Sequence, residues 1–153
     1  MNSREKYAQM AKKRKLPRLE DLERDFAFKL SRDSEDFFFD IIKGMEESII
    51  YARHVMENIL FLGEEPHQSN IYEARFANRE ELFKAYKKLM ELKWKYRLVY
   101  FDTTEKSCSD FIRESHGTWT KEVKPFLIEL CGEMESAWKS YKRGKQEKQR
   151  YFG

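Results

Sequence analysis

The longest periodic stretch of the chain runs over residues 34–61 and reads SEDFFFDIIKGMEESIIYARHVMENILF. Its apolar side chains recur every three or four residues, the spacing that puts them on one face of an α-helix. That face consists of Phe38, Ile42, Met45, Ile49, Ala52, Met56 and Ile59. Asp33, Ser34 and Glu35 stand at its start and favour an N-cap there. We therefore predict a helix over 34–61 that buries one side against other helices.

Two helices are predicted before this stretch. Residues 3–14 are expected to form a short, frayed helix, because Pro17 breaks the segment and its few apolar side chains bury little. The next apolar side chains lie three or four residues apart, and they are Leu19, Leu22, Phe26 and Leu30. This spacing predicts a second helix over 18–31.

A loop is predicted at residues 63–67, because glycine, proline and adjacent like charges all disfavour a helix. The chain is expected to return antiparallel after it. A short helix is predicted over 69–77. Asn78 and Glu81 then have the spacing of a capping box, which predicts a helix over 79–101.

The last third of the chain has two predicted helices. Residues 102–105 supply a cap, and the segment after them has Cys108, Phe111, Ile112 and Ser115 on one face until Gly117. It is a short helix, or it continues the previous helix after a bend. The final helix begins between Thr120 and Pro125, because proline is tolerated only in a first turn. Its apolar residues have heptad spacing, typical of a packed antiparallel bundle or a coiled coil. They are Val123, Leu127, Leu130, Met134, Ala137 or Trp138, and Tyr141.

Composition favours helices throughout. Hydrophobic residues make up 41% of the 153 residues, and only three prolines and six glycines interrupt them. A chain of this length forms one domain with a real core. The sequence thus predicts an all-α, single-domain antiparallel bundle of five or six helices with a long C-terminal helix. We divide it into a basic N-terminal arm (1–17), the bundle (18–143) and a basic C-terminal tail (144–153).

The sequence also indicates a compartment. No apolar run approaches the roughly 20 residues that span a bilayer, and the first residues lack the apolar stretch of a secretory signal. Cys108 and Cys131 are the two cysteines, and both are expected to be reduced and buried. We therefore expect a cytoplasmic protein, or a nuclear one in a eukaryote, where residues 12–15 match a nuclear localisation signal.

Charge is unevenly distributed along the chain, whose net charge is +3. Residues 1–18 carry seven basic side chains and one acidic one, and residues 139–153 carry six and one, so residues 19–138 have a net charge of −8. Basic ends on an acidic body favour binding to nucleic-acid phosphates or to a nucleic-acid-bound protein. The residues assigned to this contact are Lys12, Lys13, Arg14, Lys15, Arg18, Lys142, Arg143, Lys145, Lys148 and Arg150. The alternative is that these ends are simply solvated.

The end of the chain carries two aromatic residues, Tyr151 and Phe152. We expect them to dock on a partner or against the bundle itself. Residues 145–152 resemble the sliding-clamp-binding peptide, which ends in an aromatic pair. They depart from it at Lys145, where that peptide has glutamine, and at Lys148, where it has an aliphatic residue. The heptad spacing of the last helix also allows a homo-oligomer through that helix.

The helix predicted over 79–101 has a very wide apolar arc, which implies contacts on several sides. Lys93 and Arg97 fall inside this arc, one turn apart. Such cations repel each other and resist burial. We expect one of two arrangements. Either an acidic side chain of a neighbouring helix faces the two cations, or the Lys93 ammonium and the Arg97 guanidinium extend past the aromatic side chains into water. The other interpretation is an anion site in which Tyr86 and Tyr100 donate hydroxyl hydrogen bonds.

Catalytic and metal-binding motifs are missing from the sequence. Asp40, Glu47 and His54 are ligand types seven residues apart, but each step rises about 10 Å along a helix, so they do not converge on one ion. Arg113 and His116 are separated by two residues, fewer than in the HEPN class of ribonucleases, and stay unassigned. No G-x-S-x-G or glycine-rich phosphate loop occurs. We assign no catalytic residue, metal or cofactor.

These observations give a first functional hypothesis and two alternatives. The first is a non-catalytic interaction protein that binds nucleic acid, or a nucleic-acid-processing partner, through its basic termini. The second is a helical-bundle enzyme, or a binder of a small anionic ligand, that uses Lys93 and Arg97. The third is a protein-binding adaptor or inhibitor with the same fold.

Overall fold

The structure is a computed structural model that describes residues 1–142. This part of the chain is all-α and contains no strand. Its helices are α1 (Ser3–Arg14), α2 (Leu19–Asp25), α3 (Phe37–Leu60), α4 (Gln68–Phe76), α5 (Arg79–Phe101), α6 (Glu105–Thr118) and α7 (Lys124–Lys139), with a π-helical turn at Trp119–Val123. The predicted all-α bundle with a long C-terminal helix is confirmed. Among the described residues, no helix is long and apolar enough to cross a membrane.

The centre of the bundle is an antiparallel pair formed by α3 and α5. Glu57, near the end of α3, accepts a hydrogen bond of 3.1 Å from Tyr86, near the start of α5. Further along the pair, burial and then the Glu46 carboxylate of α3 raise the pKa of Tyr96, in the second half of α5, to about 12. Along this pair the helices bury an apolar seam whose members include Met45, Ile49, Met56, Leu82, Leu89 and Leu92.

The helix α5 begins and ends where the sequence predicts, at residues 79 and 101. Asn78 caps it by accepting a hydrogen bond of 3.2 Å from the backbone of Glu81. The predicted bounds of α3 are wrong by a few residues. Its cap is Asp36 rather than residues 33–35, since the Asp36 carboxylate accepts a bond from the Phe39 N–H.

The predicted break at Gly117 is wrong, because α6, the π turn and α7 form one continuous rod. In the π turn, the Lys124 N–H donates to the Trp119 carbonyl, five residues earlier. Proline has no N–H to give, and its ring clashes with the carbonyl four residues before it. The π turn just before Pro125 replaces the regular four-residue hydrogen-bond spacing there by a five-residue spacing. The helix therefore continues through the proline.

The apolar seam predicted for the last helix packs within the chain. Val123, Leu130 and Ala137 are buried, and α7 contacts α4 while the π turn contacts α5. This arrangement is that of an antiparallel bundle. Cys108 is buried as predicted, but the expectation for Cys131 is wrong, because its side chain is exposed. It directly follows the seam residue Leu130 and therefore points away from the core.

The predicted helix over 18–31 is too long, because α2 ends at Asp25. Ala27 adopts a left-handed conformation with φ +53°, which no helix continues through. The Glu23 carboxylate then accepts a hydrogen bond of 3.0 Å from the Leu30 N–H. Leu30 is nevertheless buried, at 3% exposed, so the apolar spacing of this segment continues into the loop after α2.

The first helix is packed into the bundle, so the expectation that its apolar side chains bury little is wrong. Tyr7 is 0% exposed, and its hydroxyl donates to the Pro17 carbonyl at 2.7 Å. Asn2 and Glu5 form a reciprocal capping box at its start. Both guanidinium nitrogens of Arg4 bond the Glu23 carboxylate, and the pKa of that carboxyl is lowered, chiefly by Arg4.

Gly44 is expected to resist replacement even by alanine. It lies within α3, where a Cβ would come within 2.5 Å of Cγ and 3.0 Å of Cβ of Phe28. Alanine normally stabilises an interior helix position by about 1 kcal/mol relative to glycine, but overpacking costs about 1–3 kcal/mol. Thermal unfolding should show that Gly44→Ala lowers the Tm. The control Gly132→Ala should raise it, because a Cβ there meets nothing within 4 Å. If both substitutions raised the Tm, the close contact between position 44 and Phe28 would be contradicted.

Candidate functional site

The outer side of α5 is covered by no other helix. The opposite side of α5 buries Leu82, Leu89 and Leu92 against the core. Trp94 and Leu98 on the outer side are 59% and 63% exposed. We call this surface the α5 strip, and it consists of Lys87, Met90, Lys93, Trp94, Arg97 and Leu98.

Trp94 lies between two cations in the α5 strip. The Lys93 ammonium is 5.7 Å from the centroid of the Trp94 ring, and the Arg97 guanidinium carbon is 4.8 Å from it. Both distances are in the range of cation–π attraction. Among the described residues, no carboxylate lies within ion-pair distance of either cation. The expected acidic partner is therefore not found among these residues; Arg97 is exposed and Lys93 is half-buried.

The α5 strip belongs to the most basic segment of the acidic body. Residues 84–97 contain six basic side chains and one acidic one, Glu91. Two of the six are paired, because Lys95 contacts Glu114 at 2.9 Å and Lys88 contacts Glu91 at 3.6 Å. The described residues offer no carboxylate within 4.0 Å to the other four, which are Lys84, Lys87, Lys93 and Arg97. Their charge is available to a ligand.

The structure separates the two tyrosines that the sequence grouped with Lys93 and Arg97. Tyr86 lies two turns before Lys93, and its hydroxyl is already donated to Glu57. Burial and this bond raise the pKa of Tyr86. Tyr100 follows Arg97 by three residues and is 63% exposed. Lys93, Arg97 and Tyr100 thus share one surface, and Tyr86 belongs to the contact between α3 and α5.

The N-terminal basic cluster lies at one end of the bundle, where α1 meets α6. Arg14 pairs with Glu105 at 2.8 Å, Lys13 contacts the same carboxylate at 3.5 Å, and Arg18 pairs with Asp21 at 3.0 Å. Lys12 and Lys15 are exposed and have no such partner among the described residues. Part of the positive charge is therefore neutralised within the protein.

The C-terminal basic residues begin at the opposite end of the bundle. Lys142 is exposed, and about 50 Å of helix separates Glu105, beside the N-terminal cluster, from Lys139. The two basic ends are thus far apart, and α5 runs between them. Six residues of the predicted contact and docking sites lie outside the described residues: Arg143, Lys145, Lys148, Arg150, Tyr151 and Phe152.

A histidine–carboxylate pair lies at the π turn. The imidazole Nε2 of His116 is 2.9 Å from the Asp25 carboxylate, and the Lys124 ammonium is 3.6 Å from it. Burial raises the pKa of the Asp25 carboxyl, but hydrogen bonds from His116 and Arg24 outweigh burial and lower it. The Thr120 hydroxyl donates to the His116 backbone, so it is not activated by the imidazole. This cluster ties α2 to the rod.

The remaining candidates of the sequence have ordinary surface surroundings. Asp40, Glu47 and His54 are all exposed on the solvent side of α3. Arg113 pairs with Asp110 at 3.2 Å and donates to the Arg14 carbonyl.

The sequence pattern did not single out Trp94, which the structure places between Lys93 and Arg97. The signal was present, because an apolar arc too wide for one buried face must leave some of its members outside. Comparison of the chain with family models, with curated proteins and with solved structures finds no match.

Proposed function

We propose that this protein is a non-catalytic nucleic-acid-binding protein and that the α5 strip is its central contact. The observation that carries the proposal is the set of unpaired cations on an exposed helix of an otherwise acidic body. Phosphates are attracted to such a strip, and they displace only water and counterions there. The basic ends extend the contact in both directions along the bundle.

Salt dependence tests the electrostatic part of this proposal. We expect binding of a labelled oligonucleotide to weaken steeply with salt, because each phosphate contact contributes about −0.7 to −0.9 to the slope of log K against log salt. Replacing Lys87, Lys93 and Arg97 together by glutamine should make that slope shallower by about 2–3. Fluorescence anisotropy at several salt concentrations measures both quantities.

A control removes a cation that is exposed but paired within its own helix. Lys106→Gln is suitable, because this lysine pairs with Asp110 at 2.9 Å. The control should leave the slope nearly unchanged. Absence of binding to both DNA and RNA at low salt would reject the proposed function.

A protein-binding role is the second candidate, and one observation favours it. Phe83, Leu98 and Phe101 are 51%, 63% and 84% exposed on α5, and exposed apolar side chains grouped on one helix are typical of a protein interface. A stable complex with a protein partner that survives removal of residues 143–153 and of nucleic acid would favour this role. The small-anion alternative has less support, because Tyr86 is engaged with Glu57.

A further inference from the structure

We propose that the α5 strip binds single-stranded rather than duplex nucleic acid, with the Trp94 indole as a stacking platform for a base. This inference rests on the proposed function and specifies its ligand. Three features of the strip support it: an exposed aromatic ring, cations placed beside that ring, and acidic side chains on both flanks.

The exposed ring is the first feature. An indole that is 59% exposed leaves part of its ring open to solvent beside the Lys93 and Arg97 charges that lie over it, and an unpaired base has a complementary face free. In a duplex, every base face is already stacked on a neighbour, so the ring would meet only sugar and phosphate. Stacking on aromatic side chains is the common means of holding single strands without sequence preference.

The cations beside the ring are the second feature. Lys93 and Arg97 lie on either side of Trp94 in the sequence and within 5.7 Å and 4.8 Å of its centroid. A base stacked at Trp94 therefore has its flanking phosphates next to two positive charges. The Arg97 guanidinium plane is itself a surface on which bases stack. From Lys87 to Leu98 the strip is about 17 Å long, which suits a short run of nucleotides.

The acidic flanks are the third feature. On the side of α6 and α7, Glu114 pairs with Lys95, while Glu122 and Glu129 line the groove beside Lys84 and Lys88. On the side of α3, the Glu46 carboxylate is near Tyr96, and Glu57 accepts a bond from Tyr86 and pairs with Arg53 at 3.1 Å. The positive surface is thus about one helix wide, roughly 10 Å. One phosphate backbone fits this width, whereas the second backbone of a duplex, about 6–12 Å away across a groove, would lie over carboxylates.

The test compares one labelled oligonucleotide of about twelve nucleotides, without self-complementarity, alone and annealed to its complement. Fluorescence anisotropy with the full chain gives both affinities. We expect the single strand to bind more tightly than the duplex. Trp94→Ala should weaken single-strand binding by about 5- to 100-fold and change duplex binding much less, and Trp94→Phe should retain most of the affinity. Tyr51→Ala is the matched control, because Tyr51 is an exposed aromatic of α3 outside the strip, 74% exposed.

Each outcome bears on one of the two proposals. If neither form binds at low salt, the proposed function fails, and this inference with it. If the duplex binds as tightly as the single strand, or if Trp94→Ala binds like the wild type, the inference is wrong while the proposed function stands. If light scattering shows a dimer that Trp94→Ala dissociates, the strip is a contact with a second copy and the inference is also wrong. Should Trp94→Ala not fold, Trp94→Leu takes its place, because it keeps an apolar side chain and removes the aromatic face.

Discussion

Replacing Tyr7 by alanine is expected to lower the free energy of unfolding by about 3–5 kcal/mol, the range for removal of a large buried aromatic side chain. Tyr7 is 0% exposed, and its ring edge contacts Phe37 at 6.4 Å between centroids. The loss is a large part of the about 5–15 kcal/mol that stabilises a typical domain. Urea unfolding followed by circular dichroism measures it.

Two variants separate the parts of this effect. Tyr7→Phe keeps the ring and leaves the Pro17 carbonyl without its hydrogen bond, which should cost about 1–3 kcal/mol. Tyr51→Ala removes an aromatic side chain that is 74% exposed and should change the stability by only about 0.5 kcal/mol. If Tyr7→Ala were as mild as Tyr51→Ala, α1 would not unfold together with the bundle.

The second large effect is expected at Trp119, in the π turn. Trp119 is 5% exposed and stacks on Phe26 with centroids 5.0 Å apart. Its indole N–H donates to the Asp25 carbonyl at 2.8 Å. Trp119→Ala should therefore lower the free energy of unfolding by about 3–5 kcal/mol, because it removes the side chain that holds α2 against the rod.

The exposed tryptophan of α5 provides the comparison for Trp119. Trp94→Ala should cost less than about 1 kcal/mol, since it loses little burial and only the cation–π contacts. Chemical denaturation of both variants, with the same probe and the same baseline treatment, gives the two values. Similar losses would mean that Trp94 contributes to the core and would weaken its assignment as a surface platform.

Local signals in the sequence were sufficient where the structure depends on neighbouring residues alone. The start of α5 follows from Asn78, whose side chain accepts a hydrogen bond from a backbone N–H three residues on. The end of α2 was not predictable in this way. It depends on the left-handed Ala27 and on the bond from Leu30 to Glu23, and neither has a sequence signature.

The candidate site was predictable in part for a similar reason. Lys93 and Arg97 drew notice because cations within an apolar arc are unusual. Whether they face an acid, a cavity or water depends on which sides of α5 the other helices cover, and that is a property of the packing. The exposure of Trp94 depends on the same packing, because α3 and α6 leave its side of α5 open.

The π turn changes the spacing of the inward-facing residues in the continuous helix formed by α6, the π turn and α7. Before the turn, inward positions repeat with heptad phase at Cys108, Ile112, Ser115 and Trp119. After it, the same phase resumes one position late, at Val123, Leu127, Leu130, Met134 and Ala137. The wide turn takes up this one-residue stutter, which would otherwise rotate the later positions by about 100° around the axis. A chain shortened by one residue between 119 and 123 would therefore keep the apolar positions of α6 and α7 in one phase without a π turn, but it would place Pro125 in a regular helical ladder, which proline disrupts.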